Sequence, residues 1–371
     1  MKKDVFCLYQ ELSTLTDKRR NQGKRHKLEL IIMLVILSIM NGYHGFHAID
    51  DFVKKHSKEL IIIFKINKKR LPSYSTIRRN ISKIEFDELN LIFEKWTKIK
   101  IKIDDKEWVS LDGKEIRGST FDDEKRFINM VSLFFVNKKQ TYMIGKVDDK
   151  SNEIPKVQEL ISEFPGKKVV FRMDAMHCQK KTVEKILEKE SFYVLEVKNN
   201  QKELLKKAKF VAEYVPAKSK DETCEKNRGR LETRKVSVHK DCLDLFYEGW
   251  SNSKNIIKVE RTTKRKNGKV SNETAFFITN LEENANYFNK NIRGHWKIEN
   301  SLHYVKDVVF KEDRQKIRAK QAPQNMSLLR TFIANIFRNK GYNNITQTIR
   351  QIAGNIIETI KLLDIKSIRG V

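Results

Sequence analysis

The chain has 371 residues, with 75 Lys and Arg against 48 Asp and Glu, a formal charge of +27 and 39% hydrophobic residues. That apolar share excludes a disordered polyelectrolyte, and the length allows two or three domains. The charge excess and a pI near 9.7 point to a polyanionic partner, although an AT-biased genome also enriches Lys, Ile and Asn.

The opening "MKKDVFCLYQ" has no long apolar run of a secretory leader. Cys7, Cys178, Cys224 and Cys242 form no C-x-x-C pair and do not combine with histidines as a zinc site would. Reduced thiols in a cytoplasm are the expectation. Residues 1–105 read as a helical N-terminal domain for DNA binding or association. Residues 30–40 are apolar but far short of the ~20 residues a membrane span needs, so they predict a buried helix. Gly42 and Gly45 mark a turn, and helical spacing resumes through Phe46, Ile49, Phe52 and Val53. "LPSYSTIRRNISKI" starts a further helix, with Ser73 or Ser75 as cap. Its Arg78 and Arg79 could enter a DNA groove or form a solvated face.

From residue 106 the pattern changes. "EWVSLD", "FINMVSLFFV" and "TYMIGKV" are short strand-like runs. A helix over "IPKVQELISEF", a strand "KKVVFRMD", a helix "QKKTVEKILEKE" and a strand "FYVLEV" follow. Residues 106–199 therefore predict the first part of an α/β sheet. Asp112 and Asp174 each close a strand, where ligands of open α/β sheets bind. Residues 200–286 predict a basic, β-rich insertion with a hairpin turn at "KNGKV". Residues 287–371 predict helices, the clearest at 325–340 and 345–363.

At an α-helical 100° per residue, Ile298, Leu302, Val305 and Val309 make one apolar stripe. His295, Glu299, His303 and Lys306 lie on its flank. The two histidines and Glu299, at i, i+4 and i+8, could ligate zinc, but the H-E-x-x-H spacing is absent. Two strand-end aspartates and a glutamate on a basic chain fit another chemistry better. Such carboxylates hold two divalent metals roughly 3.5–4 Å apart for in-line attack on phosphodiesters.

At these residues the chain resembles the DDE transposases of bacterial insertion sequences, in the group that includes the H-repeat-associated proteins. The matching stretches include "LPSYSTIRR", "LDGKEIRGS", "KSNEIPKVQELI", "MDAMHCQKKT", "YVLEVKNNQ", "RGRLETRKV", "RGHWKIENSLHYVKDVVFKED" and "NMSLLRTFIANIF". The resemblance implies a ribonuclease-H-like mixed α/β core with a β-rich insertion, a helical N-terminal domain and a helical C-terminus. It implies two Mg²⁺ (or Mn²⁺) ions held by Asp112, Asp174 and Glu299. Of the signature Y-x-x-R-x-x-x-E-x-x-x-x-x-x-K, Lys306 fits the Lys, while Ile292 and His295 stand at Tyr and Arg. Arg293 substitutes in part for that Arg, and Tyr304 stands where Trp is common.

The implied substrate is double-stranded DNA with terminal inverted repeats, bound by a homodimer at the element ends. Phosphate-contact candidates are Lys114, Arg117, Lys198, Arg230, Arg234, Arg293, His295, Lys306 and Arg314, with Arg78 and Arg79. A structure-selective nuclease of the same fold, or a domesticated DNA-binding protein that no longer transposes, stands as the alternative.

Overall fold

The computed structural model describes residues 7–66, 70–121, 126–148, 151–227, 229–241, 249–250, 252–295 and 298–363. Among the described residues, six α-helices precede the first strand: α1 (Leu8–Leu12), α2 (Leu28–Met40), α3 (Phe46–Lys55), α4 (Ser57–Ile63), α5 (Tyr74–Ile81) and α6 (Phe86–Lys100). All residues of α2 are buried. A helix apolar on every side must be covered on every side, and α1, α3 and α5 do part of this. No helix among the described residues is long and apolar enough to cross a membrane. Ser73 does stand at the α5 N-cap, but its side chain makes no cap hydrogen bond there. Its hydroxyl meets those of Ser75 and Thr76.

The sheet follows in the predicted order: β1 (Trp108–Phe121), β2 (Arg126–Phe135), β3 (Gln140–Lys146), α7 (Glu153–Glu163), β4 (Val170–Met173), α8 (Lys180–Glu188) and β5 (Phe192–Val197). β1, β2 and β3 form an antiparallel meander, and β4 and β5 continue parallel to β1. Then come α9 (Lys202–Tyr214), β6 (Ala217–Asn227), β7 (Arg230–Lys240), β8 (Asn255–Arg265) and β9 (Val270–Thr279). The turn at "KNGKV" is present, closed by Arg265 N–H to the Lys269 carbonyl at 2.9 Å.

The β-rich stretch is continuous with the core. β9 pairs with β5, giving one nine-stranded sheet in the order β3-β2-β1-β4-β5-β9-β8-β7-β6. The sequence pattern missed α9 and β6. β6, "AKSKDETCEKN", is polar on both faces and mostly exposed at the sheet edge, so it carries no apolar alternation.

After α10 (Ala285–Ile292) the chain forms two π-helical stretches, Glu299–His303 and Val305–Val309. Tyr304 N–H bonds to the Glu299 carbonyl, and Phe310 N–H to that of Val305 at 2.9 Å. α11 (Ala322–Asn339), α12 (Ile345–Ile352) and α13 (Ile356–Leu362) close the chain. The single helix expected over 345–363 is two helices. Gly354 between them has φ +81°, a conformation glycine adopts at little cost, and its N–H donates to Asn41 Oδ1 at 2.9 Å. α11 packs on α2, α5 and α6 and also on β1, β2 and β3. One apolar cluster therefore runs from Leu8 through the sheet to Leu363.

A buried ionic network ties these parts together. Glu312 is 1% exposed. Its carboxylate lies 3.4 Å from Lys306 Nζ, 3.2 Å from Arg330 Nη1 and 3.9 Å from Lys114 Nζ. Burial alone would push the Glu312 carboxyl up, but the three cations outweigh it and hold it below its ordinary value. Removing the anion strands buried cations. Glu312→Gln is expected to cost about 3–5 kcal/mol of unfolding free energy, read from the urea midpoint. A change under about 0.5 kcal/mol, the size usual for surface substitutions, would show that the network does not hold the fold.

Candidate active site

Asp112 lies on β1, between β2 and β4. The parallel register pairs Ser110 with Arg172, so two residues further on Asp112 and Asp174 stand at the same level of neighbouring strands. Asp174 follows the last residue of β4 and caps a short 3₁₀ turn, with Ala175 N–H donating to its Oδ1 at 2.6 Å. Gly113 N–H donates to Asp112 Oδ1 at 3.0 Å.

Glu299 reaches the site from the first π-helical stretch. His303 Nδ1 stands 3.5 Å from Glu299 Oε2 and 3.7 Å from Asp112 Oδ2. One ligand atom each of Asp112, Glu299 and His303 lies within 4.8 Å of the others. The sequence reading set His303 aside with the zinc spacing. It belongs to the cluster because i→i+4 spacing keeps it beside Glu299 while its ring reaches across to β1. Asp174 shares with Glu299 and His303 a cleft of about 930 Å³, also lined by Arg172, Arg234 and Glu196.

Two observations bear on a divalent cation. The donors are two carboxylates and an imidazole, a set that suits such ions. At Asp174 an ammonium already stands where a cation is wanted: Lys198 Nζ is 3.3 Å from its Oδ1 and 3.2 Å from Glu196 Oε1. The residues fit a metal.

The other expected contacts divide sharply. Lys306 does not face the cleft. It is 2% exposed, and its Nζ donates to Ser327 Oγ at 2.6 Å. The π-helical pattern gives the physical reason. In an α-helix the seventh residue returns almost to the starting side, but i→i+5 bonding turns the chain less per residue. Lys306 thus lags by roughly a third of a turn and enters the Glu312 network. Lys114 is likewise no free phosphate contact. It is held by Asp307 at 2.7 Å and Asp313 at 3.4 Å as well as by Glu312.

Arg234 is buried in the cleft wall, with Glu232 at 3.8 Å. Arg117, Arg230 and Arg314 are exposed, and exposed Arg293 pairs with Glu225. The His295 side chain lies outside the described residues. Arg78 is exposed on α5, and Arg79 opens onto a separate cleft with Lys18, Arg20, Arg25, Arg70 and Lys83.

Arg172 was missed from sequence, because a strand-interior arginine reads as an interruption of an apolar run. It is 5% exposed, stacks 5.6 Å from the Phe277 ring centre and leaves Nε and Nη1 without hydrogen-bond partners. Burial pushes its guanidinium down to about 10, so it remains charged at neutral pH. Cys178 is buried and its thiol is pushed up to about 12 by that burial, which argues against a reactive thiolate. Cys242 lies outside the described residues.

Burial pushes the Asp112 carboxyl up to about 6; His303 opposes the shift, and Glu299 and Glu153 add to it. The folded chain binds this proton more tightly than the unfolded chain does. The group's contribution to stability is therefore fullest below the ordinary carboxylate pKa and is lost as pH rises through about 6. A metal at Asp112 must displace the same proton. Mn²⁺ affinity is expected to fall about 10-fold between pH 7 and pH 5, measured by calorimetry on the DNA-free protein. An affinity flat across that range would remove Asp112 from the ligand set.

Comparison with known proteins gives the family. Residues 9–97 match a family described as DDE_Tnp_1-associated, and residues 104–336 match the transposase DDE domain. YncI of Escherichia coli O157:H7, named as a candidate transposase, is 32% identical over 90% of this chain and 88% of its own length. YhhI of Escherichia coli K12, named as an H repeat-associated candidate transposase, is 30% identical over 90% of each. Among solved structures, a piggyBac transposase synaptic complex with hairpin DNA aligns over 96% of this chain and 78% of its own, at 11% identity and a TM-score of 0.46. The transposase DDE domain spans more than half of the chain, and the chain belongs to the DDE transposase family, whose members are DNA transposases that cleave and join DNA strands.

Proposed function

We propose that Asp112, Asp174 and Glu299 form the metal-holding triad of this transposase, with His303 as a further ligand or as the group that orients Asp112 and Glu299. The convergence of Asp112, Glu299 and His303 within 4.8 Å carries this reading. The sheet order β3-β2-β1-β4-β5, with its antiparallel meander and two parallel strands, supports a ribonuclease-H-like core. Two Mg²⁺ or Mn²⁺ ions would stabilise charge on the attacking and leaving oxygens of an in-line phosphoryl transfer. No protein nucleophile is required.

The chain's own groups have distinct tasks. Asp112 would give up its proton to hold an ion together with Glu299 and Asp174. Lys198, paired here with Asp174 and Glu196, would be free for a substrate phosphate if a cation took its place at Asp174. Arg172 and Arg234, on the wall of the same cleft, hold phosphate oxygens and keep the strand in register without reading its sequence. Arg117, Arg230, Arg293, His295 and Arg314 belong to the outer path of the DNA. The substrate is double-stranded DNA carrying terminal inverted repeats, held by a homodimer. Residues 1–105, with the basic cleft at Arg79, serve end binding.

Asp174→Asn should abolish strand cleavage in Mg²⁺ while end-DNA affinity stays within about twofold, because the phosphate contacts remain. Parallel cleavage and gel-shift assays decide this, and cleavage retained by the variant would overturn the triad. Log affinity should fall by about 0.9 for each neutralised phosphate per unit of log salt. A titration from low to physiological salt that gives a flat line would contradict an electrostatic grip.

A further inference from the structure

Glu153, in the "NEIP" stretch ahead of β4, has no role in the triad, yet the fold places it with care. It is the first residue of α7, behind an Asn152 cap whose side chain accepts from Ile154 N–H at 3.0 Å. Its Oε1 accepts from Asn129 Nδ2 of β2 at 2.7 Å. Its Oε2 lies 3.8 Å from Nε2 of His177, in the turn that Asp174 caps. That imidazole is 1% exposed, and neither ring nitrogen has a hydrogen-bond partner.

On the other side the carboxylate lies against Gly113, next to Asp112. A Cβ at Gly113 would fall 2.2 Å from its Oε1 and carboxyl carbon and 2.3 Å from its Oε2. The position is free only because residue 113 has no side chain. The Glu153 charge adds to the upward push on the Asp112 carboxyl, an effect that a cation shared by the two groups would relieve. The helix start, the Asn129 amide and the bare Gly113 all hold the Glu153 carboxylate there.

We propose that Glu153 is a fourth acidic group of the metal site, lying between Asp112 and Asp174 and accepting hydrogen bonds from water bound to a divalent cation. This rests on the triad reading. Such outer partners typically change metal affinity by 10-fold or more. The alternative is a structural salt link to His177, which would affect folding and leave the metal untouched.

The test is Mn²⁺ binding by calorimetry on the full-length, DNA-free protein. Glu153→Gln keeps the shape and the acceptor for Asn129 and removes only the charge. It should weaken Mn²⁺ about 10-fold without lowering the Tm of the metal-free protein. Gly113→Ala should weaken Mn²⁺ similarly by displacing the Glu153 carboxylate, and the double variant should be no weaker than Gly113→Ala alone. Unchanged Mn²⁺ affinity in Glu153→Gln, with or without a lower Tm, overturns the role of Glu153 while the triad stands. A wild-type protein that binds no Mn²⁺ overturns the triad and this inference together.

Discussion

The geometry of the candidate site depends on one buried anion. Glu312 draws a cation from each of three parts of the chain: Lys114 from β1, Lys306 from the second π-helical stretch and Arg330 from α11. Lys114 sits two residues after Asp112 on the same strand, and Lys306 lies seven residues after Glu299. Fixing those two ammonium groups on one carboxylate fixes the register between the strand that holds Asp112 and the segment that holds Glu299. Asp307 and Asp313 balance the cluster at three cations and three anions. Ions out of water cost several kcal/mol each unless well paired, so the arrangement tolerates little slippage. Arg330 extends it into the helix that covers both the N-terminal helices and the sheet.

The same network explains the π-helical turns. A regular α-helix would leave Lys306 on the flank with Glu299. The wider winding lets the backbone place Glu299 and His303 toward β1 while Lys306 turns inward to Glu312. Such turns are rare and often occur at functional sites. Here the two demands on one short segment, a carboxylate outward and a lysine inward, give a physical reason for one.

The sequence carried the first half of the sheet well. Alternation and β-branched runs set out β1 to β5 in order, and Asp174 falls directly after β4 as expected. Asp112, expected to close its strand, instead lies inside β1, which runs on to Phe121 through a stretch too polar to read as strand. Period-based reading failed where burial does not alternate, as in β6, or where a single glycine divides a helix, as at Gly354. It also assumed an α-helical pitch around Glu299, and Lys306 was misplaced for that reason alone. His303 was set aside with the zinc spacing, and Arg172 and Glu153 escaped, because their meaning lies in contacts across 24 to 191 positions of chain, such as Glu153 to His177 and His303 to Asp112. Gly113 could have given a hint: a glycine inside a strand often marks a close approach.

Charge works on two length scales in this molecule. The excess of +27 acts through solvent, where a Debye length of about 8 Å at physiological salt limits it to gathering and orienting a polyanion. Inside the cleft the balance reverses. Glu299, Asp174 and Glu196 line it together with Lys198, His303 and two buried arginines, and Asp112 lies 3.7 Å from His303. Interactions there are far less screened, so local pairing and not net charge decides what binds. A DNA phosphate is drawn to the protein by the whole surface, but it meets an acidic centre that repels it unless cations intervene. The basic exterior supplies affinity for DNA, and under the proposed triad the carboxylates would withhold chemistry until cations neutralise their charge.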